Sequence, residues 1–380
     1  MPYHSLSEFE EQARHRLDEE VYDLFAGGAA DEITLRANES AFQRLRLVPR
    51  ILRGAAVREI DVSLLGSRAS LPVLIAPTAF HRLAHAEGEC ATARAAASAE
   101  TIMIVSMAAT VAIEEIAAAS RAVAGEDASL WFQLYLQPDL GFTESIIRRA
   151  EEAGCRALIV TVDSPVLGQR EGNLRNSLTD LPAGMFCENM RECAPAKGQG
   201  FMPVRKFEFS PEFSWDHIDW LRKTTSLPIA LKGILHPDDA VLAVEHGASA
   251  VIVSNHGGRQ LDTAPATIEA LPAIAEALTG VVPLLLDGGI RRGTDILKAL
   301  ALGAGAVMIG RPVLWGLAVA GEDGVRKVLE ILRAEFVNAL ALCGCSTLKE
   351  VNRGLVRGSG FESLKREYGT NENNGTNGRI

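Results

Sequence analysis

The 380 residues are 47% hydrophobic and 23% charged, which supports a sizeable core in one large α/β domain or two smaller ones. A formal net charge of −10 argues against nucleic acid or an anionic membrane as a partner, because both call for a basic face. The polar, acidic start from Met1 to Glu20 does not read as a secretory signal, and no apolar run approaches bilayer length.

The six cysteines are Cys90, Cys155, Cys187, Cys193, Cys343 and Cys345. They form no C-x-x-C pair and no zinc spacing with histidines, so no metal site is expected. Cys343 and Cys345 read as two thiols in a reduced cytoplasm. A soluble cytoplasmic protein is expected.

In chain order, Ser7 to Leu24 predicts an amphipathic helix, with Ser7 as its N-cap and Gly27-Gly28 as its stop. From about residue 70 short apolar runs alternate with longer helical patterns. The runs are Val73 to Ala76, Ile102 to Val105, Leu130 to Leu134, Ala157 to Val162, Pro228 to Leu231, Ala250 to Val253, Pro283 to Leu286 and Ala306 to Ile309. Three of them share a lead-in: Ala153-Gly154-Cys155 before Ala157, His246-Gly247-Ala248 before Ala250, and Leu302-Gly303-Ala304 before Ala306. Each lead-in is a helix end and a glycine cap ahead of a strand. Repeated helix-then-strand units mean parallel strands, and eight of them predict a (β/α)8 TIM barrel behind an N-terminal helical segment. An open doubly wound sheet is the alternative, weakened because no G-x-G-x-x-G follows the first strand.

Between Val166 and Ser214 the pattern lapses into a stretch holding Pro182, Gly184, Pro195, Gly198, Gly200, Pro203 and Pro211. A long mobile loop after strand 4, about 171–213, is expected. The domain is expected to span 1–364, followed by a disordered polar tail, 365–380.

A barrel keeps its chemistry where the strands end. Those ends carry Pro77-Thr78-Ala79-Phe80, Ser106 with Ala108, Gln133 with Tyr135, Thr161 with Asp163 and then Arg170, Lys232, Ser254 with His256 and Arg259, Asp287 with Gly289 and Arg291, and Gly310-Arg311. His256 can move a proton near neutral pH, and Arg259 can grip a carboxylate with paired hydrogen bonds. Glycines with arginines after strands 7 and 8 suit a phosphate, held by Arg291, Arg311 and backbone N–H groups. Lys232 is either a surface stem or a counter-charge for a bound ring. Asp163 either caps a helix or holds His256 in one tautomer. Tyr135 is either core or a donor at the mouth. His4, His15, His81, His85, His217, His236 and His246 read as surface or structural.

Taken together, these residues resemble the FMN-dependent α-hydroxy acid oxidase and dehydrogenase family, which includes glycolate oxidase, lactate oxidase and mandelate dehydrogenase. The resemblance runs from about Ser5 to Val356. It is carried by Ser254-Asn255-His256-Gly257-Gly258-Arg259-Gln260-Leu261-Asp262, Gln133-Leu134-Tyr135, Thr161-Val162-Asp163 and Asp287-Gly288-Gly289-Ile290-Arg291. It implies that Pro77, Thr78, Ala79, Ser106, Gln133, Thr161, Lys232 and Ser254 hold the isoalloxazine and ribityl parts of FMN. Asp287, Gly289, Arg291, Gly310 and Arg311 would hold its ribityl and phosphate end. It further implies that His256 is the base with Asp163 behind it. Arg170 and Arg259 would bind the substrate carboxylate, and Tyr135 the oxygen at the reacting carbon.

Two departures bear on the substrate. Leu24 stands where small-acid oxidases of this family carry tyrosine, and Ala108 where glycolate oxidases carry tryptophan. Both widen the pocket and make it more apolar, so with Phe80 they favour an aryl 2-hydroxy acid such as mandelate or 4-hydroxymandelate. Hydroxymandelate oxidases are the nearest resemblance. The region between strands 4 and 5 is polar, with Arg191, Glu192, Lys197, Arg205, Lys206 and Glu208, unlike the apolar insertion of membrane-bound mandelate dehydrogenases. Molecular oxygen as electron acceptor, with hydrogen peroxide as product, and a homotetramer complete the expectation. The alternatives are a lactate- or glycolate-type oxidase, a quinone-linked dehydrogenase, a flavin-dependent isomerase, and a non-catalytic binder of a phosphorylated ligand.

Overall fold

The computed structural model describes residues 3–54, 56, 59–172, 176, 181–192 and 203–358. The tail expected after 364 lies outside the described residues, as does part of the 171–213 loop. All eight apolar runs form strands: β1 Val73–Ile75, β2 Met103–Ser106, β3 Leu130–Leu134, β4 Leu158–Thr161, β5 Ile229–Ile234, β6 Ala250–Val253, β7 Leu284–Leu286 and β8 Ala306–Ile309. They make one closed parallel barrel in chain order, as the repeats predict. β8 returns to β1 through the pairs Val307–Val73, Met308–Leu74 and Ile309–Ile75.

The strands read as unbroken apolar runs because both of their faces are covered. Leu74, Ile104, Trp131, Ile159, Ile252 and Leu285 fill the barrel interior. Their neighbours Ile75, Val105, Phe132, Val160, Val253 and Leu286 face the surrounding helices. Each such side chain contributes roughly 1.5–3 kcal/mol by leaving water. A hairpin, Val62–Leu64 with Ser67–Ala69, closes the N-terminal mouth. Its Leu64 and Ala69 join the inner cluster, and Ser67 Oγ accepts the Trp131 indole N–H at 3.0 Å. The opposite mouth is left for chemistry.

Three helices precede the barrel: α1 Leu6–Arg16, α2 Glu19–Ala26 and α3 Ile33–Arg44. The single helix expected from Ser7 is therefore two. Ser5, not Ser7, caps α1, because Leu6, Phe9 and Ala13 form its buried face and Leu6 must lie inside the helix. The chain goes extended at Leu17, and α2 stops at Gly27 as the glycine pair suggests. Between and after the strands lie α4 Gly88–Ser98, α5 Ile113–Ala124, α6 Leu140–Glu152, α7 Trp215–Thr224, α8 Pro237–Glu245, α9 Thr267–Leu278, α10 Gly293–Ala301 and α11 Arg311–Leu342. No helix among the described residues is long and apolar enough to cross a membrane.

The N-terminal helices are latched to the loop after β6. Asp262 accepts from Ile33 N at 3.2 Å and Thr34 N at 2.8 Å, which caps α3. Asn38 and Asn255 exchange side-chain amide bonds of 2.9 and 2.8 Å inside the protein. Gly258 passes so close to α3 that a Cβ there would lie 2.6 Å from Leu35 N.

The long loop after β4 is anchored in its described part around Asn189. Asn189 is fully buried. Its Oδ1 accepts from Ile113 N at 2.8 Å, and its Nδ2 donates to Ser106 O at 3.2 Å, tying the loop to the end of β2. Arg205 N donates to Met190 O at 2.9 Å, which joins the loop to itself.

Candidate active site

A cavity of about 480 Å³ occupies the C-terminal mouth of the barrel. Leu24, Pro77, Thr78, Ala79, Phe80, Ser106, Ala108, Gln133, Tyr135, Thr161, Arg170, Lys232, His256, Arg259, Asp287, Gly289, Arg291, Gly310 and Arg311 all line it. Asp163 and Ser254 are not part of its wall, and they act on residues that are.

His256 follows β6 with φ +58, and Gly257 and Gly258 continue at +66 and +73. A side chain rarely holds that left-handed conformation, and such strain collects at functional sites. The turn is held by Ser254 Oγ, which accepts from His256 N at 3.1 Å, and by Asn255 Oδ1, which accepts from Gly258 N at 3.1 Å. The imidazole Nδ1 lies 2.8 Å from Asp163 Oδ1. An ionised Asp163 accepts from Nδ1–H, so Nε2 carries the free lone pair, 3.4 Å from the Tyr135 hydroxyl.

Burial lowers the His256 pKa below its ordinary value; Asp163 opposes this, and Lys232 and Arg170 add to it. Burial alone would raise the Asp163 carboxyl. The hydrogen bond from His256 and the charge of Lys232 oppose burial, and the Asp163 carboxyl stays below the usual carboxylate value. The result is a neutral base beside an ionised carboxylate. Burial, with Asp163, raises the Tyr135 phenol, which stays protonated as a donor.

Two packing devices set this pair. Gly233 in β5 has φ +115, and a Cβ there would lie 2.6 Å from Asp163 Cβ. Gln260 clips the segment after β4 to the His256 turn. Its Nε2 donates to Asp163 O and Val166 O, each at 3.0 Å, and its Oε1 accepts from Gly168 N at 3.0 Å.

Arg170 and Arg259 reach the same cavity, and neither has a carboxylate partner among the described residues. Arg259 Nη1 donates to Gly27 O at 2.8 Å, and Arg170 Nε to Arg259 O at 3.4 Å. Burial, then repulsion from Arg170 and Arg311, drives the Arg259 pKa well below its ordinary value. Such a cluster of cations is relieved by an anion placed between them.

Lys232 is buried at the end of β5. Its Nζ donates to Ser254 Oγ at 2.9 Å and lies 3.2 Å from Asp287 Oδ2. It is therefore an interior charge and not a surface stem. Gln133 Nε2, Asp287 Oδ1 and Arg291 Nε are buried and have no hydrogen-bond partner. All three residues line the cavity, so it offers orphan donors and an acceptor to a polar guest. This fits a group with a heteroaromatic ring and a phosphate, as FMN has.

Two wall residues also pack the site together. The Arg311 guanidinium donates to three carbonyls, Phe25 O at 2.9 Å, Gly257 O at 3.0 Å and Gly27 O at 3.0 Å, so it fastens the N-terminal segment over the site. Burial, then Arg291, brings its pKa down to about 10. Gly289 is required by packing: a Cβ there would sit 2.1 Å from Asn38 O. Sequence reasoning also passed over Phe207 and Phe209, which line the cavity and meet Tyr135 edge-on at 5.9 and 5.5 Å between ring centroids. Their signal was the alternation Phe207-Glu208-Phe209 within a polar loop.

Comparison with known proteins agrees with this geometry. The FMN-dependent dehydrogenase family matches residues 13–358. The chain is 47% identical to an L-lactate oxidase of Nostoc sp., over 93% of this chain and 97% of that one. It is 46% identical to human 2-hydroxyacid oxidase 1, over 93% and 96%. A crystal structure of mandelate oxidase with (S)-2-phenylpropionate superposes with a TM-score of 0.84 at 42% identity, covering 93% of this chain and 98% of that one. With the barrel, the orphaned donors and these relatives in agreement, the chain belongs to the FMN-dependent dehydrogenase family.

Proposed function

We propose that the protein oxidises (S)-2-hydroxy acids to 2-oxo acids, with an aryl side chain preferred and with oxygen reduced to hydrogen peroxide. The observation that carries the reading is the His256–Asp163 pair at 2.8 Å, on one cavity with two arginines that lack a carboxylate partner among the described residues. Arg170 and Arg259 receive the substrate carboxylate. Tyr135 donates to the oxygen on the reacting carbon. His256 Nε2 accepts the proton that the substrate loses, and Asp163 stabilises the imidazolium that results. Bound FMN supplies the two-electron acceptor. Gln133, Lys232 and Asp287 meet its ring and ribityl parts, and Arg291 the phosphate end.

The aryl preference rests on Leu24, Phe80, Ala108, Phe207 and Phe209, which give the cavity an apolar portion beside the arginines. The mandelate oxidase structures support it, including one with benzoyl-formic acid at 42% identity. The L-lactate oxidase relative favours a short alkyl acid as the competing substrate. A cytoplasmic homotetramer is part of the same proposal.

The test is anaerobic bleaching of the purified yellow protein. (S)-Mandelate is expected to bleach it faster than glycolate or L-lactate. Faster bleaching by glycolate overturns the aryl preference, and no bleaching by any 2-hydroxy acid overturns the activity.

A further inference from the structure

The reaction described above leaves unused one buried titratable group beside the cavity. His81 is 1% exposed, just beyond the β1 loop that contributes Thr78, Ala79 and Phe80 to the wall. Both of its ring nitrogens meet threonine hydroxyls: Nε2 lies 2.7 Å from Thr78 Oγ1, and Nδ1 lies 2.9 Å from Thr92 Oγ1 on α4. Burial keeps the ring neutral by lowering its pKa, against the pull of Glu89 and of the Thr78 backbone carbonyl. A neutral imidazole has one donor and one acceptor, so the two bonds must run in the same direction around the ring.

Thr92 decides that direction. It is fully buried on α4, and its hydroxyl has His81 as its hydrogen-bond partner. If Thr92 accepted from Nδ1–H, its own proton would be left buried without a partner, which is costly. Thr92 therefore donates to Nδ1, and the proton of the ring sits on Nε2. Nε2–H then donates to Thr78 Oγ1, which leaves the hydroxyl proton of Thr78, a residue of the cavity wall, free for another acceptor.

We propose that His81 is a positioning residue for the cofactor, fixing Thr78 as a hydrogen-bond donor to bound FMN through the relay Thr92–His81–Thr78. The backbone of the loop is set by the same neighbourhood. Glu89, also 1% exposed, accepts from His81 N at 3.0 Å, Thr110 N at 2.9 Å and Thr110 Oγ1 at 2.8 Å. It thereby ties the loop after β1 to the loop after β2. The inference rests on FMN occupying this cavity, and its test uses no substrate, so it can fail while the proposed reaction stands.

The test measures release of FMN from the holoenzyme, followed by recovery of free-flavin fluorescence after dilution. H81L and T92V are expected to release FMN about fivefold to tenfold faster, the worth of one hydrogen bond of ordinary net strength. T92S keeps the hydroxyl and is expected to match the unmodified protein. Because His81 acts through Thr78, H81L is expected to add nothing to T78V. Should H81L fail to fold, T92V in the T78V background supplies the same cycle. Unchanged release from H81L or T92V, multiplied effects in the double variant, or a T92S as leaky as T92V would each overturn the relay.

Discussion

Asp163 Oδ1 lies 2.8 Å from His256 Nδ1, while the second carboxylate oxygen is buried and has no hydrogen-bond partner. The pair is therefore asymmetric: one oxygen orients the ring, and the other holds charge near it. Proton uptake at Nε2 turns the pair into an ion pair, which offsets the burial that otherwise disfavours imidazolium.

This fixes the sign of the pH dependence. His256 works as a base when neutral, and burial places its pKa below the ordinary value of about 6.5. The kcat/KM profile is expected to rise with pH through an inflection below about 6.5. Asp163 raises the His256 pKa, so Asp163→Asn is expected to move that inflection lower still and to reduce kcat about 10²- to 10⁴-fold. A wild-type inflection well above 6.5, or one that moves upward in the variant, would contradict the assignment.

Arg259 carries its charge next to Arg170 and Arg311, and among the described residues it donates to carbonyls alone. Arg259→Met is expected to raise KM for a 2-hydroxy acid about 10- to 100-fold, the worth of a hydrogen bond to a charged group. The same variant should lose most of its discrimination between mandelate and its methyl ester. Steady-state kinetics with both compounds checks this, and an undiminished preference for the acid would remove Arg259 from the clamp.

Ala108 lines the cavity and is 7% exposed, so a larger side chain there must enter the cavity or displace its neighbours. Ala108→Trp is expected to reduce kcat/KM for mandelate about tenfold or more relative to glycolate, as loss of pocket volume does. Equal losses for both acids would argue against the assignment of this wall to the substrate side chain.

The paired amides of Asn38 and Asn255 hold α3 to the His256 turn across 217 residues of sequence. Asn38→Ala leaves the Asn255 amide with Pro265 O and Gly258 N as partners and removes both bonds to α3. A loss of about 1–3 kcal/mol is expected, measured as a lower urea midpoint with an unchanged slope. An unaltered midpoint would mean that the latch contributes nothing to stability.

How much of this was legible in the sequence follows from what kind of signal each feature leaves. The eight strands were legible because each is a short apolar run and three repeat the same glycine lead-in, as at Gly154, Gly247 and Gly303. The residues of the cavity wall were legible because a barrel puts each strand end at one mouth. The barrel order allowed Asp163 behind His256 as one of two readings, and the family resemblance chose between them. Asn38, Glu89 and Thr92 left no mark, because pairs of polar side chains far apart in sequence create no period. The anchors of the loop after β4 were hidden for the same reason: Asn189 is one polar residue among many until its two bonds are seen.

The carbonyls of Phe25 and Gly27 have a consequence for how this enzyme can change. Both accept hydrogen bonds from Arg259 and from Arg311, one assigned to the substrate and the other standing next to the cofactor cradle. A shift of this short N-terminal segment moves the two arginines together. With Arg259 on the substrate and Arg311 beside the cofactor, as proposed, selectivity and cofactor retention are expected to respond together to a point before the barrel begins. Grafting a different N-terminal segment onto the same barrel should alter both properties at once, whereas substitutions at the strand ends can alter them separately.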